Sequence, residues 1–176
     1  MKNFSIYDEI FEKVEGDVIK MSSNESDKTF SIANIKYETQ ISNLERMCFI
    51  MESVALNKKR EGTIYAGFQK ISRAKKIWDR YLKMADNVDK IYLFGEKDTT
   101  LESHPNIEFV YLPPNHKLMR EWFLVMDIKL SKNMMVAYDL DGFGTLPIDR
   151  DRHFKGAKTV NITHIDNTVK LLKTII

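Results

Sequence analysis

Apolar residues recur every three or four positions in four parts of the chain, and this spacing predicts four helices. The first helix covers about residues 4–14 and ends at Gly16. After a polar, turn-prone loop at 20–29, a long helix is predicted from about 31 to 60. The apolar stripe of this long helix consists of Ile41, Leu44, Cys48, Met51 and Ala55. A third helix is predicted over 72–87, and the last begins at about residue 164.

Five other segments are aromatic and β-branched, with apolar residues in consecutive positions, which is typical of strands buried on both faces. They cover residues 63–68, 90–95, 107–112, 122–127 and 134–140. The third helix separates the first two strands, so these two are predicted to be parallel. The last two are joined by a connection of hairpin length, which favours an antiparallel pair. The pattern therefore predicts an α/β fold with a mixed five-stranded β-sheet flanked by α-helices and preceded by N-terminal helices.

Length and composition favour one globular domain. The chain has 176 residues, of which 43% are hydrophobic and 30% are charged, and this is enough to build one core. We therefore expect a single domain over residues 1–176, in which 1–27 form an N-terminal helix and loop and 28–176 form the core. The single cysteine favours a reducing compartment, and the first segment is acidic and amphipathic, unlike a signal peptide. These features predict a cytoplasmic protein.

The balance of charge limits the choice of partners. The net charge of +2 gives no general attraction to nucleic acid or to an anionic membrane. No apolar run approaches the ~18 residues that span a bilayer, so no membrane contact is expected. The third predicted helix carries Arg73, Lys76, Arg80 and Lys83 on one face. A nucleic-acid contact is one interpretation of this face, but a solvated surface is favoured because no aromatic residue is interleaved with it.

Few of the residue patterns that carry catalysis are present. The four histidines are scattered, and Cys48 lies in an apolar helix stripe, as expected for a buried and unreactive thiol. Asp139 and Asp141 stand at two positions of a calcium loop, but Arg150 replaces its bidentate glutamate, so an acidic turn is predicted. Glycine-rich phosphate loops and the G-x-S-x-G motif are absent. We therefore expect no metal site and no catalytic residue, and the sequence does not specify a cofactor.

Three stretches that follow one another in order resemble a known family. They are GFQK at 67–70, VDKIYLFGE at 88–96 and LMREWFLVMD at 118–127, and RHFKGAKTV follows at 152–160. From about residue 28 to the end, the chain resembles the DICT domain, a sensory module of diguanylate cyclases and two-component systems. The family pattern corresponds to Phe68, Gln69, Tyr81, Tyr92, Phe94, Gly95, Glu121, Trp122, Phe123, Phe154 and Gly156.

The resemblance implies a non-catalytic cytoplasmic sensor in two-component or cyclic-dinucleotide signalling. The implied partner is an output protein or domain of the histidine kinase or diguanylate cyclase class. A small-molecule ligand and a second copy of the chain, forming a homodimer, are further candidate partners. The resemblance does not identify the ligand.

The predicted topology suggests where a ligand would bind. If the fourth predicted strand is antiparallel to the first, its first residues lie at the same edge of the sheet as the last residues of the first strand. We therefore predict that Phe68, Gln69, Gly95, Glu121 and Trp122 line one ligand pocket. The alternative is that Trp122 fills the core and Glu121 pairs with Arg120 or another cation.

Two other classes of function stay open at this point. One is a small α/β enzyme of unknown reaction, which should show at least two converging titratable groups with shifted pKa values. The other is a protein-interaction module, which should expose a contiguous apolar patch, for which the N-terminal helix is the main candidate.

Overall fold

The computed structural model describes residues 1–176 and contains one eight-stranded sheet with five α-helices. The strands are β1 (Val18–Lys20), β2 (Ile35–Gln40), β3 (Gly62–Lys70), β4 (Lys90–Glu96), β5 (Ile107–Tyr111), β6 (Glu121–Ile128), β7 (Asn133–Asp139) and β8 (His153–Thr159). The helices are α1 (Ile6–Ile10), α2 (Asp27–Phe30), α3 (Ile41–Glu52), α4 (Trp78–Ala85) and α5 (Ile162–Leu172). Short 3₁₀ turns cover Phe11–Lys13, Ser53–Ala55, Ile71–Ile77, Lys117–Arg120 and Asp149–Asp151.

The strands lie in the order β1-β2-β8-β7-β6-β3-β4-β5. The neighbours β3, β4 and β5 are parallel, whereas β6 is antiparallel to both β3 and β7. These pairings confirm the predicted parallel unit and the predicted hairpin. The mixed α/β class is therefore confirmed, but the prediction of five strands is wrong because the sheet has eight.

The long helix predicted from 31 to 60 is wrong in its first part. Residues 35–40 form β2, in which Ile35, Tyr37 and Thr39 are buried and the residues between them are only partly buried. This alternation has the period of a strand, and it precedes the helical stripe without any glycine or proline between them. The stripe itself is confirmed, since all five of its residues are buried on α3 and the turn that follows.

The sheet separates two hydrophobic cores. The first lies under α3 and α4 and includes Trp122 and Phe68. The second lies on the opposite face and includes Phe123 together with the apolar residues of the N-terminal segment, Phe4, Ile6, Ile10, Phe11 and Val14. The N-terminal helix therefore covers the sheet, and the exposed apolar patch expected there for an interaction module is not present. None of the helices has the length and hydrophobicity needed to cross a bilayer.

Candidate functional site

A cavity of about 490 Å³ lies on the face of the sheet that α3 and α4 cover. Its floor consists of Ala66 and Phe68 from β3 and Trp122 and Leu124 from β6. One wall is α3, with Ile41, Glu45, Cys48 and Glu52, and the opposite wall is the segment Ile71–Ala85, with Ser72, Arg73, Lys76, Ile77, Arg80 and Tyr81. Asp149 and Arg150, from the turn before β8, lie at the rim.

Strand register explains why Phe68 and Trp122 share the floor. Gly67 of β3 lies opposite Phe123 of the antiparallel β6. Side chains alternate between the faces of a sheet, so Phe68 and Trp122, next to this pair, both face away from the second core. Trp122 also contacts Phe154 edge to face, with 6.2 Å between the ring centroids. The structure therefore brings these two residues of the predicted site together.

Behind the cavity lies a buried polar network centred on Gln69, which is only 1% exposed. Its Nε2 donates to Asp139 Oδ2 at 3.1 Å and to the Met119 carbonyl at 3.3 Å. Its Oε1 accepts from Arg73 Nη1 at 2.8 Å and from Arg152 Nη1 at 3.3 Å. Gln69 adopts a φ of 65°, a strained conformation for a residue other than glycine. The network thus holds the amide in one position, although Gln69 itself does not line the cavity.

Arg73 is the part of this network that reaches the cavity. Its guanidinium carbon lies 4.7 Å from the centre of the Trp122 ring and 5.3 Å from that of Phe143. The bond to Gln69 is the hydrogen bond that this side chain makes with the protein. Burial lowers the pKa of Arg73 to about 10, with a further contribution from the nearby Arg152, so the side chain is still a cation at neutral pH. The remaining N–H groups of Arg73 are free to bind a ligand.

A buried carboxyl group lies at the other end of the cavity. Glu52 is 1% exposed; its Oε1 accepts from the Tyr81 hydroxyl at 2.7 Å, and its Oε2 lies 2.7 Å from Arg80 Nε. Burial raises the pKa values of Glu52, Tyr81 and the neighbouring Cys48. Burial therefore favours the protonated form of each group, and for Glu52 the nearby Arg80 opposes this effect.

The basic face of the third predicted helix is solvated only in part. Lys76 and Lys83 are exposed, as a solvated face requires, but Arg73 and Arg80 are only partly exposed. Arg80 forms an ion pair with the buried Glu52, and Arg73 stacks on Trp122. The interpretation as a solvated face is therefore wrong for these two arginines, which are part of the cavity wall.

Glu121 does not reach the cavity, because consecutive strand residues face opposite sides and Trp122 occupies the cavity side. Its carboxylate is fully buried, where it accepts from Ser5 Oγ at 2.5 Å and from the backbone N–H groups of Ile6 at 3.0 Å and Tyr7 at 3.3 Å. The expectations that Glu121 shares a pocket with Trp122 and that it pairs with a cation are both wrong. Its role in the fold is to cap the first turn of α1.

Gly95 lies inside β4, opposite Tyr111. A Cβ atom at this position would be 3.2 Å from the Gln69 carbonyl oxygen and 3.3 Å from Ile71 Cδ1. The missing side chain therefore leaves room for the irregular backbone at Gln69, where the pairing of β3 and β4 shifts register. Gly95 supports the cavity without lining it.

The acidic turn after β7 is confirmed as a turn, and its carboxylates bind the protein itself. Asp139 Oδ1 accepts from the backbone N–H groups of Asp141 at 3.2 Å and Gly142 at 2.7 Å, and its Oδ2 pairs with Arg152. Asp141 accepts from the backbone N–H of His153 at 2.7 Å. The arrangement closes the turn and positions the polar network behind the cavity.

Sequence reasoning missed Arg73, Glu52 and Arg80 as residues of the site. A signal existed, because Arg73 and Arg80 are two helical turns apart and Cys48 and Glu52 are one turn apart. That these two helical faces point at each other depends on tertiary packing, which periodicity does not contain.

A family model for the DICT domain, described as a sensory domain in diguanylate cyclases and two-component systems, matches residues 27–140. The chain belongs to the DICT family. The match includes both walls and the floor of the cavity, and Phe68, Arg73 and Trp122 all lie within it. It ends before β8, so Phe154 and Gly156 lie outside it.

No curated protein is detectably similar in sequence. Among solved structures, the polyphosphate kinase from Porphyromonas gingivalis matches with a TM-score of 0.49 and 10% sequence identity, over 76% of this chain and 21% of that chain. The DICT chain therefore spans about a fifth of the length of that kinase.

Proposed function

We propose that this DICT domain is a non-catalytic input module, acting in the cytoplasm, and that the cavity between α3 and α4 is its ligand site. The observation that carries the proposal is the apolar floor of Phe68 and Trp122 beside Arg73, whose guanidinium has N–H groups free for a ligand. Small-molecule sites are typically concave and mostly apolar, with a few fixed polar groups. Gln69 and Gly95 act in this proposal as residues that position Arg73, and Glu121 acts outside the site.

A signal would arise from the walls of the cavity. On the cavity side, two ion pairs connect α3 to the structure around it, from Glu52 to Arg80 and from Glu45 to Arg150 at 2.9 Å. A ligand between the walls changes the relative stability of these contacts, and so shifts the population of their arrangements. We propose that an output protein or domain of the histidine kinase or diguanylate cyclase class responds to this shift, which the sensory family supports.

Ligand-observed screening with a fragment set of mixed charge, followed by ¹⁵N NMR mapping on the full chain, tests the site. We expect bound fragments to shift the indole N–H signal of Trp122 and to bind more weakly to Trp122→Phe. The control Trp78→Phe changes a ring in the same core that does not line the cavity, and it should leave binding unchanged. Fragments that bind only elsewhere, such as the groove between α1 and α5 at Lys13 and Lys170, would contradict the proposal.

Catalysis is a second candidate because Cys48, Glu52 and Tyr81 converge in the cavity. Burial keeps the thiol in its protonated form, which is a poor nucleophile, so the cluster favours a buried acid over a nucleophilic site. Recovery of the bound fragments unchanged after incubation supports the sensor. Conversion that is lost in Glu52→Gln would support an enzyme instead.

A further inference from the structure

The charged side chains around the cavity do not balance one another. Four cations line it, Arg73, Lys76, Arg80 and Arg150, against three acids, Glu45, Glu52 and Asp149. Each acid has a cationic partner, because Glu45 binds Arg150 at 2.9 Å, Glu52 lies 2.7 Å from Arg80, and Asp149 lies 2.8 Å from the buried Arg152. Arg73 and Lys76 have no carboxylate partner, so the positive charge of the cavity is concentrated at these two residues.

The guanidinium of Arg73 is already fixed in position by its neighbours. Gln69 fixes one of its N–H groups, and the Trp122 ring supports its guanidinium plane. A side chain that is already ordered loses little conformational freedom when a ligand binds. The planar guanidinium matches a carboxylate better than a lysine does, because it donates two parallel hydrogen bonds.

The surroundings of Arg73 also restrict the rest of the ligand. Phe68, Trp122 and Leu124 form an apolar surface on the floor, which favours a flat apolar body. Glu45 and Asp149 also line the cavity and are close enough to Arg73 to act on its charge, so they disfavour a second negative charge on a ligand. A dianion such as a phosphate monoester would therefore bring its second negative charge close to these two carboxylates.

We infer that the cavity takes a small organic monoanion, a carboxylic acid whose carboxylate binds Arg73 and whose apolar body lies on Trp122 and Phe68. The exposed Lys76 attracts the acid at the entrance. This inference rests on the proposed function, because it assumes that the cavity is the ligand site.

The probe is benzoate, compared with the uncharged benzamide of the same shape, in NMR titrations of the full chain. We expect benzoate to shift the indole N–H signal of Trp122 and the Nε–H signal of Arg73, and to bind at least about tenfold more tightly than benzamide. The difference should shrink as salt is raised. Arg73→Gln should weaken benzoate binding about tenfold, whereas Lys75→Gln, which removes one charge from an exposed position outside the cavity, should not.

The outcomes separate this inference from the proposed function. If benzoate and benzamide bind equally well at Trp122, or if a folded Arg73→Gln variant binds benzoate fully, the inference that Arg73 binds an anion is wrong. The proposal that the cavity is a ligand site would then still stand. If inorganic phosphate binds as tightly as benzoate, the inference that the ligand has an apolar body is wrong. If neither probe nor any fragment moves a cavity signal, both proposals fail. Should Arg73→Gln not fold, the benzoate and benzamide comparison in the unmodified chain still decides.

Discussion

Glu121 and Trp122 are neighbours in the chain, but they serve opposite faces of the sheet. The apolar run that begins at Trp122 was enough to predict its burial. The burial of Glu121 was not predictable, because its partners Ser5, Ile6 and Tyr7 lie more than a hundred residues away in the sequence. A carboxyl group that accepts from a hydroxyl and from backbone N–H groups can be buried completely, whereas a glutamate without such partners is usually exposed.

The pH dependence of stability should report on Glu121. Burial raises its pKa from 4.5 to about 8, although the hydrogen bonds from Ser5, Tyr7 and Ile6 oppose the shift. The fold therefore favours the protonated acid, whose stabilising contribution is complete below pH 4.5 and is lost as the pH rises through about 8. The loss is at most about 1.4 kcal/mol for each pH unit within this window.

Glu121→Gln imitates the neutral acid. Its free energy of unfolding should therefore be within about 1 kcal/mol of that of the parent at pH 5, and higher than that of the parent at pH 9. Urea unfolding at a series of pH values measures the free energy of unfolding of the parent and of the variant. The control Glu102→Gln removes an exposed carboxylate, so its free energy of unfolding should change with pH as that of the parent does. Parallel curves for the parent and Glu121→Gln would show that Glu121 is ionised in the fold throughout.

Among the elements, those with a long and regular apolar pattern were predictable, and those that rely on distant partners were not. The stripes of α3 and α4 and the apolar runs of β3 to β7 are local signals. In contrast, β8 reads as a polar segment because it contains Lys155, Lys158 and Gly156. Lys158 is nevertheless buried, with its ammonium donating to the carbonyl oxygens of Phe30 at 2.7 Å and Ile32 at 3.2 Å. Such a lysine is recognised as a core residue only when its acceptors are known.

Gly156, the single glycine of β8, should be hard to replace, because this strand lies between β2 and β7. An added Cβ atom would collide with the Val136 carbonyl oxygen and lie 2.8 Å from Ala137 Cα and 2.9 Å from the Tyr37 hydroxyl. We expect Gly156→Ala to lower the free energy of unfolding by about 3 kcal/mol, since two of these atoms belong to the backbone and do not move aside easily. Gly16→Ala is the contrast, with a φ of 104° and open space around it, and should cost only about 1 kcal/mol through strain. Similar urea midpoints for the two variants would show that β8 adjusts to the extra methyl group.

In the whole molecule, the segment that matches the family is shorter than the segment whose residues build the two hydrophobic cores. The match covers 27–140, but β8 and α5 follow it and α1 precedes it. The floor of the cavity was predictable, because Phe68 and Trp122 begin or end strands whose relative direction follows from connection lengths. The walls were not predictable, since Arg73 in the 3₁₀ segment and Glu52 on α3 come to line one cavity only through tertiary packing, which the sequence does not encode locally.

Truncation should reveal how much of this architecture folds as one unit. A fragment of residues 27–140 lacks β8, the strand that joins β2 to β7, so β2 loses its connection to the rest of the sheet. It also lacks α1 and α5, which leaves the second core open on the side of Phe123 and Val125. We expect this fragment to show no cooperative unfolding transition in urea, by circular dichroism or by tryptophan fluorescence. A fragment of residues 27–176 keeps β8 and loses the edge strand β1 and the N-terminal contribution to the second core, so it should unfold cooperatively at a lower midpoint than the full chain. The full chain should give one transition at which both probes coincide, as expected for a single domain over 1–176. Cooperative unfolding of 27–140 near the midpoint of the full chain would instead make the matched segment an autonomous domain, and α1, β8 and α5 additions to it.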